Sequence, residues 1–439
     1  MSAAAHVSAG ARLRSNLTLE TAVRPHTLLL VGAGLSFLAW AIPWGGAIPA
    51  ALRYASSQPW TLHGMLFLVG WYAFFFAVGF GGFYLGRRIP VLQRAERVPW
   101  ESFYVFFTIL SLVGTAYSYG YVAAHSPHAI SAAFLHHRFN AVRYALPYAA
   151  GAPTLRYAAS LAGAIAIFEL GRGRLRAVHV FNVLLLLLSA AIASRVSLII
   201  AGIVVAGLAA RHFQTTRAPT RRVVGVLLLG VVSLFVALAA LNYSRNAGFY
   251  RSYGVRDPLV MNVDEMVRYL GVPFQASVAV SNHVSQWPAV PSTVAAGTRA
   301  YVLPTYVTSG VPASVARASN RYHSLAPIPT ILSTNSVLAG MYGVFGVLAF
   351  PILGLVALVG AVIAGHASRY RSYAFLVSLV IAYCFAEWWR IYMFNQGIVQ
   401  FLILAIAFWA VAGPSADTWT RGRWSRLTRF LVPERPPPG

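Results

Sequence analysis

Long apolar runs recur along this chain, near 27–48, 62–86, 102–124, 155–171, 177–193, 196–211, 223–242, 337–364, 372–393 and 395–413. Most approach the roughly 20 residues that a helix needs to cross hydrocarbon. Inside each run the apolar residues are continuous, not alternating with period two, which argues against the strands of a membrane barrel. In hydrocarbon every backbone N–H and C=O must find a partner within the protein, so such runs are expected to be helices. The pattern predicts an all-α polytopic integral membrane protein with about ten transmembrane helices. A tail (1–26) precedes seven helices within 27–242. A large loop (243–335) follows, then three helices within 336–413 and a basic tail (414–439). In the loop, Asp264 to Ala279 has the spacing of an amphipathic helix, and the loop is expected to fold over the mouth of the bundle.

Composition sharpens this picture. Hydrophobic residues make up 58% of the chain and charged residues 10%, whereas soluble domains carry about 25% charged residues; the mean hydropathy is +0.64. All 34 Lys+Arg are arginine. Short Arg clusters fill every second gap between runs: Arg12, Arg14 and Arg24; Arg87, Arg88, Arg94 and Arg97; Arg172, Arg174 and Arg176; Arg211, Arg217, Arg221 and Arg222; Arg369 and Arg371; and a tail that includes Arg421 and Arg435. The positive-inside rule then predicts both termini in the cytoplasm and the loop 243–335 on the outer face of the membrane. A net charge of +24 does not point to nucleic acid, because the basic groups sit at span ends; topology and anionic lipid head groups account for them. The single cysteine, Cys384, excludes an internal disulfide. The first apolar run is too long, and lacks the small-residue cleavage site, for a secretory signal.

Topology does not require the arginines of the large loop. Arg245, Arg251, Arg256, Arg268, Arg299, Arg317 and Arg321 stand there against only Asp257, Asp264 and Glu265. Their expected use is to hold an anion at the outer face, with Arg245, Arg251, Arg256 and Arg321 as candidate substrate-binding residues. Arg195 sits in a tight turn between two runs. It either snorkels to the interface or turns inward to grip a phosphate with its planar fork. Glu387 and Arg390 stand three apart in the segment EWWR, on one helix face. They form either a structural pair or a site that positions substrate and takes a proton. Glu169 beside Arg172 reads as structural. His125, His128, His136 and His137 match no zinc spacing and have no carboxylate nearby, so no metal site is expected.

Two stretches carry a resemblance. One is Ala193-Ser194-Arg195 opening an apolar span. The other is Ser333-Thr334-Asn335-Ser336 leading into MYGVFGVLAFPILGLV, with Gly343 and Gly346. With about ten spans and one large outer loop, the chain resembles the O-antigen polymerase and ligase superfamily. Ligases of that superfamily carry a His-Asn pair where this chain has Thr334-Asn335, so it is most similar to the oligosaccharide repeat-unit polymerase branch. His323 upstream keeps the ligase as the alternative, and a lipid-linked oligosaccharide flippase is a second one. The resemblance implies a membrane glycosyltransferase that polymerises undecaprenyl-pyrophosphate-linked repeat units of a surface polysaccharide at the periplasmic face, without a cofactor. The lipid-linked glycan would be both donor and acceptor. Membrane lipids, a chain-length regulator and a flippase would be its partners, and nucleic acid would not. Arg195, Glu387 and His323 are then candidate catalytic residues. Arg245, Arg251, Arg256, Arg321, Asn335 and Arg390 are candidates for binding the substrate.

Overall fold

A computed structural model describes residues 19–41, 58–96, 100–136, 138, 140–147, 151–193, 195–216, 235–236, 238–240, 243, 247–248, 250–305, 307–308, 310–326 and 336–420. Among the described residues the chain is 82% helix with no strand. The main helices are α1 (Pro25–Ala41), α2 (Leu62–Gly86), α3 (Trp100–His125), α4 (Ala159–Gly171), α5 (Ala177–Ala193), α6 (Arg195–Thr216), α7 (Pro258–Ser281), α8 (Pro291–Val302), α9 (Val337–Phe345), α10 (Ala349–Ala367), α11 (Leu376–Ala386) and α12 (Gly397–Thr420). Four described stretches are long and apolar enough to cross a membrane: Leu62–Gly86, Trp100–His125, Val196–Phe213 and Val337–Ala367. Four shorter apolar helices, Pro25–Ala41, Ala177–Ile192, Tyr373–Ala386 and Gly397–Gly413, fall on other expected spans. The run at 223–242 lies mostly outside the described residues.

The contacts divide the chain into two compact units. The first comprises Met1–Tyr84, Ala206–Val362 and Ile381–Gln396. Its helices approach closely because glycines face their neighbours, as is common where there is no water to squeeze out between membrane helices. A Cβ on Gly32 of α1 would lie 2.5 Å from Trp389 Cδ1 and 2.6 Å from the Ala386 carbonyl oxygen. One on Gly82 of α2 would lie 2.8 Å from the Ala361 Cβ of α10.

The helix expected over 264–279 forms, but it is longer and placed differently. Asp257 caps α7, its carboxylate accepting from the Leu259 N–H at 2.7 Å. From Gly271 to Ser281 every residue is buried. The helix runs alongside α1 and in the same direction. Ser36 Oγ donates to the Leu270 carbonyl at 2.6 Å, Phe37 meets Phe274 and Trp40 Nε1 donates to Gln275 Oε1. Beyond the end of α1, Asn282 reaches Thr61 and Pro59. Asp257 therefore lies toward the Pro25 end of α1 and Asn282 toward the Trp40 end. Within 243–335 the described residues form helices, of which α7 is the longest. α7, α8 and the short helix Ala313–Ser319 all pack against α9, wrapping its entrance.

That wrapping explains the two glycines of the motif after Ser336. Ser336 caps α9, its Oγ accepting from the Ala339 N–H at 3.1 Å. A Cβ on Gly343 would run into the Ala318 carbonyl. Gly346 breaks the helix with φ +54°, and there the backbone of Trp287 and Ala289 comes within about 3 Å of a Cβ position. A side chain at 346 would meet both strain and collision.

The second unit comprises Leu85–Val205, Ile363–Val380 and Gly397–Gly439. Gly163 of α4 packs on Leu186 of α5, where a Cβ would lie 2.7 Å from the Leu186 Cβ. α3 joins α5 through Tyr104 OH and His179 Nδ1 at 2.9 Å, and through Asn182, which donates to Tyr104 OH and Thr108 Oγ1 at 2.9 Å each. At the end of α4, Glu169 pairs with Arg172 at 3.2 Å and with Arg174 at 3.0 Å, the structural role expected of it.

Candidate functional site

α11 is only 11 residues long, and the chain then leaves helical geometry until α12. This break, residues 387–396, is buried in the first unit. Trp388 packs on Phe75, near the middle of the 25-residue α2, with ring centroids 4.5 Å apart. A Cβ on Gly360 of α10 would run into Phe394. Asn395 Nδ2 donates to the Ala300 carbonyl at 3.1 Å, and the Thr305 N–H donates to the Asn395 carbonyl at 3.0 Å. Irregular backbone at depth persists only where protein or a polar cavity satisfies it, and these bonds do part of that.

At the start of the break lies a charged pair. Glu387 is 3% exposed, and its Oε2 receives Arg390 Nη2 at 2.9 Å and Nε at 3.0 Å. Its Oε1 accepts a longer bond from Tyr269 OH of α7, at 3.4 Å. The Arg390 guanidinium lies 4.1 Å from the Tyr269 ring centroid, a cation–π contact strengthened by desolvation. The pair predicted from EWWR is therefore real and buried, and Tyr269 is its third member. Three more polar atoms, Tyr383 OH on α11 and Trp388 Nε1 and Tyr392 OH in the break, are buried without a partner among the described residues. Buried donors are normally satisfied, and among the described residues these three are not. Chemically it offers a guanidinium fork, a carboxylate it can release, and aromatic rings with donor tips.

The other expected site residues fall elsewhere. Arg245 and Asn335 lie outside the described residues, as does the side chain of Arg195, whose backbone opens α6 in the second unit. Arg251 is exposed and donates to Tyr243 OH at 2.6 Å. Arg256 is exposed beside the α7 cap. Arg321 is exposed, 5.5 Å from the Trp287 ring centroid, and donates to the Gln286 carbonyl at 3.4 Å. His323 is exposed and stacks on Tyr322 with centroids 4.3 Å apart; partial burial lowers its pKa, while the buried Tyr322 phenol is pushed up to about 12. The ring and hydrogen-bond contacts of His323 are local to its turn, so the structure does not bring it to Glu387.

Sequence reasoning missed Tyr269, Tyr383 and Tyr392. Tyr383 was within reach, since it precedes Glu387 by one helical turn. Tyr392 lies past the helix end, where periodicity carries no information. It also missed a buried network on α7, where Tyr250 OH bonds both Glu265 and Arg268 beside the buried Asp264. Among the described residues no group of three His, Cys, Asp or Glu side chains comes together that could hold a metal ion. No protein-family model, curated protein or solved structure matches this chain.

Proposed function

We propose that this chain is a membrane glycosyltransferase that polymerises oligosaccharide repeat units carried on a polyprenyl pyrophosphate, working at the outer face of a bacterial inner membrane. The observation that carries the reading is the buried Glu387–Arg390–Tyr269 group at the α11–α12 break, set among aromatic side chains with unused donors. When the bond from the anomeric carbon to the leaving pyrophosphate breaks, negative charge grows on the phosphate oxygen. A preorganised guanidinium in a water-poor site stabilises that charge far better than water does. A phosphate that takes the fork of Arg390 loosens Glu387, which then stands beside the reacting atoms as a base for the acceptor hydroxyl. Tyr and Trp faces with donor tips suit sugar rings, which present C–H faces and hydroxyl edges.

The direction of α7 changes the part played by the basic cluster. With α1 entering from the cytoplasm, the parallel packing of α7 sets Arg251 and Arg256 toward the same end of the bundle as Arg24, opposite to the side that charge counting assigns them. Leaving-group stabilisation then rests on Arg390. The local contacts of His323 favour polymerase over ligase. A lipid-linked oligosaccharide transporter is the second reading, and one observation favours it: helices broken at depth are a feature of transporters.

Purified protein in nanodiscs, given lipid-pyrophosphate-linked repeat unit, is expected to produce a ladder of polymers. Arg390→Lys keeps the charge but loses the fork, and should slow the ladder by about 100-fold. A wild-type ladder from a stable Arg390→Lys protein would remove Arg390 from the chemistry. Transbilayer movement of the lipid by wild-type protein in vesicles, with no polymer formed, would establish the transporter instead.

A further inference from the structure

The second unit contains a cavity of about 530 Å³ between α3, α4 and α5, within the usual range for small-molecule sites. It lies where α3 starts, α4 ends and α5 starts, so three helix ends meet there. Its walls are mainly apolar, from Val105, Ile109, Ile165 and Phe181. One wall carries the buried Tyr104–His179 pair, which Asn182 ties to Thr108. Asn182 is fully buried, and its Oδ1 has no partner. At the edge lie Glu101, Glu169 and Arg174, with Arg174 bound to Glu169 at 3.0 Å.

Two features select the occupant. First, lining residues Ile109, Phe181 and Trp100 are 49%, 40% and 37% exposed. On a membrane helix such residues face lipid, so the cavity opens sideways to acyl chains. Trp100 and Tyr104 have the amphipathic rings that settle at head-group depth. Second, the lining carries two carboxylates against one guanidinium, and Glu169 already holds Arg174 and Arg172. Among the described residues no ion pair engages Glu101, which is exposed. A purely anionic head group would meet it unfavourably. A head group with both an ammonium and a phosphate would place the first on Glu101 and the second on Arg174.

We infer that this cavity is a binding site for a zwitterionic, amine-bearing phospholipid of the phosphatidylethanolamine type, with one acyl chain between α3 and α5 and the head group at Glu101 and Arg174. The site is separate from the Glu387 group and does not depend on the activity proposed for it. Bound there, the lipid would fill the space between three helix ends and act as a structural ligand.

Photo-crosslinking tests this on the full-length protein in nanodiscs. The probes are phosphatidylethanolamine and phosphatidylglycerol, each with a diazirine on one acyl chain, and labelled peptides are mapped. With phosphatidylethanolamine, labels should concentrate on residues 100–109 and 177–181, at least five-fold above phosphatidylglycerol. Val105→Trp, which fills the cavity without removing a polar group, should abolish that concentration. Glu101→Gln leaves the cavity open and should erase the preference between the two lipids; it decides the matter if Val105→Trp does not fold. Equal labelling by both lipids in wild-type protein, or labels spread evenly over the outward helix faces, would overturn the assignment.

Discussion

Truncating Arg390 to alanine would strand Glu387 in apolar surroundings without its counter-charge. Breaking a buried pair from one side costs about 3–5 kcal/mol, while removing both partners costs much less, because no charge is left behind. Arg390→Ala should therefore melt well below wild type in detergent, and the Glu387→Ala/Arg390→Ala double variant should recover much of the loss. Thermal unfolding of the four proteins, completed by Glu387→Ala, measures the coupling. Additive losses would mean that the pair contributes no coupling to stability. The same residues show what the sequence could convey. EWWR announced a pair through its i, i+3 spacing. Tyr269 lies 118 positions away in the chain, and no local pattern links it to Glu387.

Helix α7 shows where reading the chain by elements succeeds and where it stops. The spacing of its apolar residues predicted a helix, and the helix is there. Its direction depends on which neighbour its buried face meets, and that neighbour, α1, lies more than 200 residues upstream. Charge counting alone put the whole of 243–335 on one side. Packed parallel to α1, α7 has its two ends about 36 Å apart at 1.5 Å per residue, although it is not among the described helices apolar enough to cross a membrane. Single cysteines at Glu20, Arg256 and Ser285 check this with membrane-impermeant maleimide, since the native Cys384 is fully buried. Glu20→Cys and Arg256→Cys should react from one side of the membrane and Ser285→Cys from the other. Reaction of Arg256→Cys and Ser285→Cys from the same side would restore a single outer loop.

For the whole molecule, the proposed polymerase has a cellular signature. A deletion strain should carry surface glycans capped at a single repeat unit. Wild-type protein should restore long chains, whereas Arg390→Lys, at equal protein level, should leave them short. Long chains left on the lipid carrier beside bare acceptor would indicate ligation, and repeat units held on the inner leaflet would indicate transport. The all-helical character of the described residues, and the presence of helices apolar enough to cross a membrane, were legible from hydropathy alone, because the bilayer leaves few ways to satisfy a backbone. The buried break at 387–396 was not, since polar residues such as Glu387, Arg390, Asn395 and Gln396 at the end of an apolar run read as an ordinary span end at the interface. That break also constrains how the protein is made. The apolar helix Tyr373–Ala386 is shorter than the roughly 20 residues an isolated span requires, and the irregular backbone after it would be unsolvated in bare lipid. Every partner named for it in the first unit, on α1, α2, α7, α8 and α10, precedes it in the chain. Biosynthesis therefore delivers the receiving groups first, and this segment settles into a bundle already assembled around its place, making it a late event in maturation and not an independent insertion.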